Sequence, residues 1–210
     1  MISEQLIIKP EDIEKESFRI IGEELKEMGI KLSIEKESII KRVIHTTADF
    51  SYVDSLAFSD NAVDIARQLM REGANIITDT NMALAGINKK RLETYGVNIS
   101  CFMSDSDVAA KAKKLGTTRA TVSMQKAYEL NGKHIFVIGN APTALIELHR
   151  LIAEEGKRPD FVIGVPVGFV NVEYSKELFR DGDIPYIINF GRKGGSNVAA
   201  AIVNALSLGL

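Results

Sequence analysis

The stretch His134-Ile135-Phe136-Val137-Ile138-Gly139-Asn140-Ala141-Pro142-Thr143 decides the fold. Its first part is a short, unbroken apolar run, as expected of a strand buried on both faces. Gly139 and Asn140 then turn the chain, and Pro142 sits where the first turn of a helix tolerates proline. The same rhythm recurs along the chain. Residues 75–79 read as a strand followed by a helix through Met82 and Ala85. Residues 97–102 read as the next strand, with a helix from about Ser106 to Leu115, and Thr117 or Thr118 caps a further helix running to Leu130. Residues 161–165 and 186–190 are two more strands, each followed by helical sequence. Strand then helix, repeated at this spacing, predicts a mainly parallel sheet, doubly wound and covered by helices on both faces.

Upstream of that alternation the chain is helical. Residues 9–28 form an amphipathic pattern with Ile13, Phe18, Ile21 and Leu25 on its apolar side and Ser17 near that face; Gly29 ends it. Ser33 is placed to cap a second helix in which Ile39, Ile40, Val43 and Ile44 recur at helical spacing. Another helical pattern runs through Ala62, Ile65, Ala66 and Leu69 to Gly73. No proline-rich linker or shift in composition divides the chain, so residues 1–210 are expected to form one α/β domain with a helical N-terminal portion.

Composition narrows the function classes. Twenty-six basic against 28 acidic side chains leave a formal net charge of −2, so no bulk positive field is available to hold nucleic acid. The apolar runs are too short to span a bilayer, the N-terminus lacks the apolar core of a signal peptide, and Cys101 is the only cysteine. A cytoplasmic protein without disulfides, membrane partner or cysteine-rich metal site is expected. No His-x-x-x-His, Cys-x-x-Cys or clustered carboxylates suggest a bound metal.

Four stretches have the residue types for chemistry. Arg42 and His45 lie three residues apart on the second helix, which makes them surface neighbours: one fixed cation beside the one side chain that gives and takes a proton near neutral pH. Thr46, Thr47 and Asp49 follow, a run suited to ending a helix, and Asp49 is placed to orient a nearby base. On local grounds alone, a histidine beside an apolar stripe is more often a packed or surface residue than a catalyst. In a parallel sheet, ligands bind outside the carboxyl ends of the strands, which singles out three post-strand loops. These are Gly139-Asn140-Ala141-Pro142-Thr143, Gly164-Val165-Pro166-Val167-Gly168-Phe169-Val170-Asn171 and Gly191-Arg192-Lys193-Gly194-Gly195-Ser196. The last joins two cations to a helix start, which suits an anion, although solvated cations on a glycine turn read equally well. Arg119, beside Thr117 and Thr118, adds a cation near another helix start. None of the loops carries a Walker or Gly-x-Gly-x-x-Gly fingerprint. His134 and His149 read as structural.

Taken together, Arg42-Val-Ile-His45-Thr-Thr-Ala-Asp-Phe, Thr78-Asp79-Thr-Asn81-Met82, the 138–145 stretch, the 164–170 loop and Gly191-Arg192-Lys193-Gly194-Gly195-Ser196 resemble the precorrin-8X methylmutase family, which includes the cobalt-precorrin-8 methylmutases. The resemblance runs from Ser17 to the C-terminal helix. It implies a homodimeric, flavodoxin-like three-layer α/β/α enzyme of cobalamin biosynthesis that moves a methyl group between adjacent carbons of ring C in a corrinoid, giving hydrogenobyrinate or cobyrinate. It assigns acid/base catalysis to His45 and substrate contact to Ser17 and Arg42, with Arg119 and Arg192 as carboxylate partners. The candidate substrate-binding set is completed by Asn140, Pro166, Gly168, Gly194, Gly195 and Ser196. No organic cofactor is implied, since the methyl group is already on the substrate, and any cobalt would arrive inside the macrocycle. One departure from the family pattern is Val172-Glu173-Tyr174 after Asn171, where many members carry small residues.

The chemistry of such a substrate agrees with the residues. A macrocycle fringed with acetates and propionates is an apolar plate with an anionic rim; residues 165–170 suit its face, and arginines and helix N-termini suit its rim. General acid assistance by His45 would contribute roughly 10²–10⁴-fold. Two other readings use the same loops: a corrinoid carrier without turnover, which leaves His45 without a purpose, and a nucleotide- or phosphate-binding protein, which lacks the glycine fingerprint.

Overall fold

The computed structural model describes residues 9–210. The chain begins with α1 (Pro10–Glu27) and α2 (Ile34–Thr47), a short α3 (Tyr52–Ser55) and β1 (Leu56–Phe58). It continues through α4 (Ala62–Arg71), β2 (Asn75–Thr78), α5 (Asn81–Gly86), α6 (Lys89–Glu93), β3 (Ile99–Ser100), α7 (Ser106–Leu115) and α8 (Arg119–Ala127). The remaining elements are β4 (His134–Ile138), α9 (Pro142–Glu155), β5 (Phe161–Gly164), α10 (Val172–Glu177), β6 (Tyr186–Asn189) and α11 (Ser196–Ser207).

Six strands form one sheet in the order β1-β6-β5-β4-β2-β3. All pairings are parallel except that of β1, which lies antiparallel against β6 with Leu56 opposite Asn189. The strand expected over residues 134–139 is the central one, and all five of its residues are buried. Successive side chains alternate between two apolar clusters: Ile135, Val137, Phe161, Ile163 and Ile187 enter one, and Phe136, Ile138, Val162 and Ile188 the other. That is the period-2 geometry of a strand with a core on each side.

The expected stripe of α2 is confirmed. Ile39, Ile40, Val43 and Ile44 are buried and share a cluster with Val198, Ile202, Val203 and Leu206 of α11. Each such side chain contributes about 1.5–3 kcal/mol on burial. The small side chains of α11 serve other neighbours: Ala199 lies against Gly139 at the end of β4 and Ala200 against Gly86 of α5, so α11 packs closely on several elements at once.

Four features differ from expectation. The stretch from Leu56 to Phe58 is an edge strand that the sequence pattern does not predict. The expected strand at 97–102 shrinks to Ile99–Ser100, and the helix expected to reach Leu130 ends at Ala127. Ser33 occupies the N-cap position of α2 in extended conformation, but its side chain makes no capping bond; Thr118 does cap α8, accepting from the Thr121 N–H at 3.1 Å.

Candidate active site

Because β2 through β6 run parallel, their carboxyl ends deliver the 79–81, 139–141, 165–171 and 190–195 loops to one edge of the sheet. Two close approaches knit this edge. A Cβ on Gly139 would come within 2.7 Å of the Ser196 Cα, so the end of β4 and the start of α11 touch only because residue 139 has no side chain. Gly194, at φ +156°, lies so near β5 that a Cβ would meet the Val165 carbonyl oxygen at 2.1 Å. The next N–H, that of Gly195, donates to that same oxygen at 2.9 Å.

Asp79 is the buried anchor of the edge. Its carboxylate accepts the backbone N–H groups of Gly139 at 2.8 Å, Asn140 at 2.8 Å and Ala141 at 2.6 Å. Burial pushes its carboxyl upward, and the three N–H donors pull the other way. The turn ahead of α9 is thereby fixed, with Asn140 itself exposed. Nearby, the Thr118 and Thr143 hydroxyls lie 2.9 Å apart, joining the starts of α8 and α9, so exposed Arg119 stands beside the same turn.

The loop between β6 and α11 is held from beneath. Lys176 of α10 is fully buried, and its Nζ donates to the carbonyls of Gly191 at 2.6 Å and Lys193 at 2.9 Å. Burial pushes its ammonium down to about 8, with Glu173 opposing. Asn189 Nδ2 also donates to the Lys193 carbonyl, and the Gly168 N–H donates to the Arg192 carbonyl at 3.2 Å. Arg192 remains exposed; its guanidinium lies 5.6 Å from the Phe169 ring centre and 3.1 Å from Glu173. The 172–174 stretch therefore supplies a carboxylate, Glu173, that engages Arg192. Phe169, Val170, Tyr174 and Met82 are exposed around this edge, and Pro166 is buried beneath it.

His45 closes the set from the side. Thr46 and Thr47 donate their hydroxyls back to the Arg42 and Val43 carbonyls, and Ala48 at φ 53° ends α2. With the isoleucine stripe committed to α11, Arg42 and His45 face α1 instead. The His45 ring is exposed and stacks on Phe18 at 5.2 Å, while the Arg42 guanidinium lies 4.6 Å from the same ring and 2.6 Å from Glu14. Phe18 and Arg42 line an open groove of ≈ 780 Å³ between α1 and α2, with Ile34, Lys41 and Leu208 among its other walls. The loop beyond His45 reaches the sheet edge through Asp49, which accepts from Lys193 Nζ at 2.5 Å.

The structure brings some of the residues singled out in the sequence together and leaves others apart. Asn140, Gly168, Arg192, Gly194 and Gly195 share the sheet edge with Arg119, and His45 and Arg42 stand together on Phe18. Ser17 turns its hydroxyl back to the Ile13 carbonyl at 2.8 Å, and the Ser196 hydroxyl is shared with Thr80 at 2.8 Å. Asp49 is taken by Lys193 and the Ser51 N–H rather than by His45, which corrects the expectation that it orients the base. Phe18, Asp79 and Lys176 went unnoticed as site residues. Of these, Asp79 had a signal, an acid placed just after a buried strand. Among the described residues no group of three or more His, Cys, Asp or Glu is arranged to hold a metal ion, and no helix is long and apolar enough to cross a membrane.

The sequence pattern of the Precorrin-8X methylmutase family matches residues 12–208. A cobalt-precorrin-8 methylmutase of Priestia megaterium is 45% identical, over 97% of this chain and 89% of that protein. One of Salmonella typhimurium is also 45% identical, over 95% of each. The crystal structure of a precorrin-8X methyl mutase from Thermus thermophilus superposes with a TM-score of 0.85 at 38% identity, covering 94% of this chain and 95% of that one. With nearly its whole length matched in sequence and in fold, the chain belongs to the precorrin-8X methylmutase family.

Proposed function

We propose that this chain is an isomerase of cobalamin biosynthesis that moves a methyl group between adjacent ring C carbons of precorrin-8X or its cobalt form, yielding hydrogenobyrinate or cobyrinate. Its membership of the methylmutase family supports the substrate class. The observation that carries the mechanism is the exposed His45 imidazole, stacked on Phe18 beside Arg42 rather than packed in the core.

As imidazolium, His45 donates its proton or a hydrogen bond to the substrate at ring C, which lowers the barrier to a sigmatropic methyl shift. It recovers the proton as the conjugated product forms, so nothing is consumed. Ser17, Arg42, Arg119, Asn140, Arg192, Gly194, Gly195 and Ser196 meet the carboxylate rim, and the loop from Pro166 through Gly168 to Val170 meets the apolar face. Glu14 and Glu173 hold Arg42 and Arg192 in the meantime, so substrate carboxylates compete with these two acids for the guanidinium groups.

The parallel order β3-β2-β4-β5-β6, with a core on each side of the sheet, supports a flavodoxin-like three-layer arrangement acting as a single domain. Exposed Ile13, Ile20 and Ile34 on α1 and α2, with Phe169 and Tyr174 on the loop side, support a homodimer. A cytoplasmic enzyme that binds neither membrane nor nucleic acid fits the near-neutral charge.

The test is to mix the protein with precorrin-8X, or with cobalt-precorrin-8, and follow the absorbance change of the extended conjugation. His45→Ala is expected to bind product as the parent does and to convert substrate roughly 10²–10⁴-fold more slowly. Binding without any spectral conversion by the parent protein would identify a carrier instead.

A further inference from the structure

A fully buried lysine is costly unless its donors are taken, and Lys176 spends two of them on carbonyls two residues apart in the 190–195 loop. In a trans peptide the N–H of the following residue points opposite to the carbonyl it shares a plane with, and the described chain contains no cis bonds. Drawing the Gly191 and Lys193 carbonyls onto one ammonium therefore turns the Arg192 and Gly194 N–H groups the other way. The same residues carry the exposed Arg192 side chain and lead into α11. Asn189 reinforces the pull on the Lys193 carbonyl at 2.9 Å, and the Gly168 N–H fixes the Arg192 carbonyl between them. Three consecutive carbonyls are thus committed to partners within the protein, and the loop cannot flip its peptides without stranding a buried charge.

We propose that Lys176 is a positioning residue: by holding the Gly191 and Lys193 carbonyls it presents the Arg192 and Gly194 N–H groups, together with the Arg192 guanidinium, to one carboxylate of the corrinoid. The inference rests on the methylmutase reading above. Lys176 touches no substrate atom and takes no part in proton transfer.

The experiment compares the parent enzyme with Lys176→Met, which keeps an unbranched stem but no donor, and Lys176→Gln, which keeps an NH₂ donor on a shorter stem. Titration with hydrogenobyrinate and steady-state kinetics on precorrin-8X are the readouts. For Lys176→Met the KM and the product Kd are expected to rise by about tenfold or more, with kcat within about threefold; Lys176→Gln is expected to recover part of that loss. In an Arg192→Ala background the same substitution should cost less than in the parent, because the two residues serve one contact. An unchanged KM and Kd, or a fall in kcat alone, overturns the role of Lys176 while leaving the methylmutase reading intact. A parent protein that neither binds nor converts the corrinoid overturns both. Amide hydrogen exchange of the parent enzyme supplies a measurement independent of any variant: product should slow exchange at Arg192 and Gly194, and no change there refutes the proposal.

Discussion

The ammonium of Lys193 reaches the Asp49 carboxylate at 2.5 Å and the Ser51 hydroxyl at 2.8 Å, so the loop leaving the last strand grips the loop leaving the helix that carries His45. The two segments are far apart in sequence, and close by the Phe190 N–H donates to the Ser55 carbonyl at 2.8 Å. Lys193 is 55% exposed and Asp49 30%, so the bridge adds little to global stability. Its consequence is local: it fixes where the C-terminal turn of α2 stands relative to the sheet edge.

Lys193→Met is accordingly expected to change unfolding stability at pH 7 by less than about 1 kcal/mol, yet to lower the conversion rate severalfold. Lys193 first, and then Ser51, hold the Asp49 carboxyl below the usual range. A carboxyl with a depressed folded value contributes stability above its unfolded pKa of about 3.9 and loses it as the pH falls through the folded value. Denaturation of parent and variant should therefore differ above about pH 4 and converge in stronger acid. A variant with full activity would show that the bridge positions nothing.

Much of this architecture could be read directly from the chain. The buried runs of β2, β4, β5 and β6 are visible because each has a continuous apolar stretch, and the helix of Arg42 and His45 because Ile39, Ile40, Val43 and Ile44 keep its period. What was hidden depends on partners distant in sequence. Leu56-Ala57-Phe58 is too short to show alternation and becomes a strand only because Tyr186–Asn189 offers it a free edge. Val97, Asn98, Cys101 and Phe102 read as strand, but they flank an edge strand that pairs on one side only. Lys176 lies in Val-Glu-Tyr-Ser-Lys-Glu, which reads as a solvated helix face; its burial is dictated by two carbonyls that follow it by 15 and 17 residues. Ser196 stands in the candidate substrate-binding set, and nothing local shows that its hydroxyl is shared with Thr80, 116 residues away.

Asp79 provides a second prediction. Three backbone N–H groups, that of Gly139 buried, converge on two carboxylate oxygens, one on Oδ1 and two on Oδ2. Asp79→Asn keeps the shape but replaces one oxygen with an NH₂ group. The amide can turn its oxygen toward Asn140 and Ala141, which leaves the Gly139 N–H facing another donor. One stranded buried N–H costs about 1–3 kcal/mol, and that loss is expected in urea unfolding. Because the 139–141 turn carries Asn140 and leads into α9, product affinity should weaken in parallel. Unaltered stability would mean that the carboxylate is dispensable to the turn.

His134 gives the last prediction, at the opposite edge of the sheet. It begins β4 and is only 6% exposed, with the rings of Tyr128 and Phe136 at 5.5 and 6.1 Å. Its Nε2 is buried without a hydrogen-bond partner among the described residues. A neutral imidazole can leave an acceptor there at moderate cost, whereas an imidazolium would strand both a charge and a donor. Burial accordingly pushes His134 below the usual histidine range, against the pull of Asp160. A base with a lowered folded value takes up its proton more readily when unfolded, so its contribution is complete above the unfolded value of about 6.5 and is lost as the pH falls below it. The urea midpoint of the parent protein should therefore decline between about pH 6.5 and 5, a window well above that of Asp49. His134→Phe removes the titrating group and keeps a ring between Tyr128 and Phe136, so its midpoint should decline less over the same interval. His45 and His149 are common to both proteins and cancel in the difference. Parallel curves for the two proteins would show that His134 accepts its proton in the folded state without penalty.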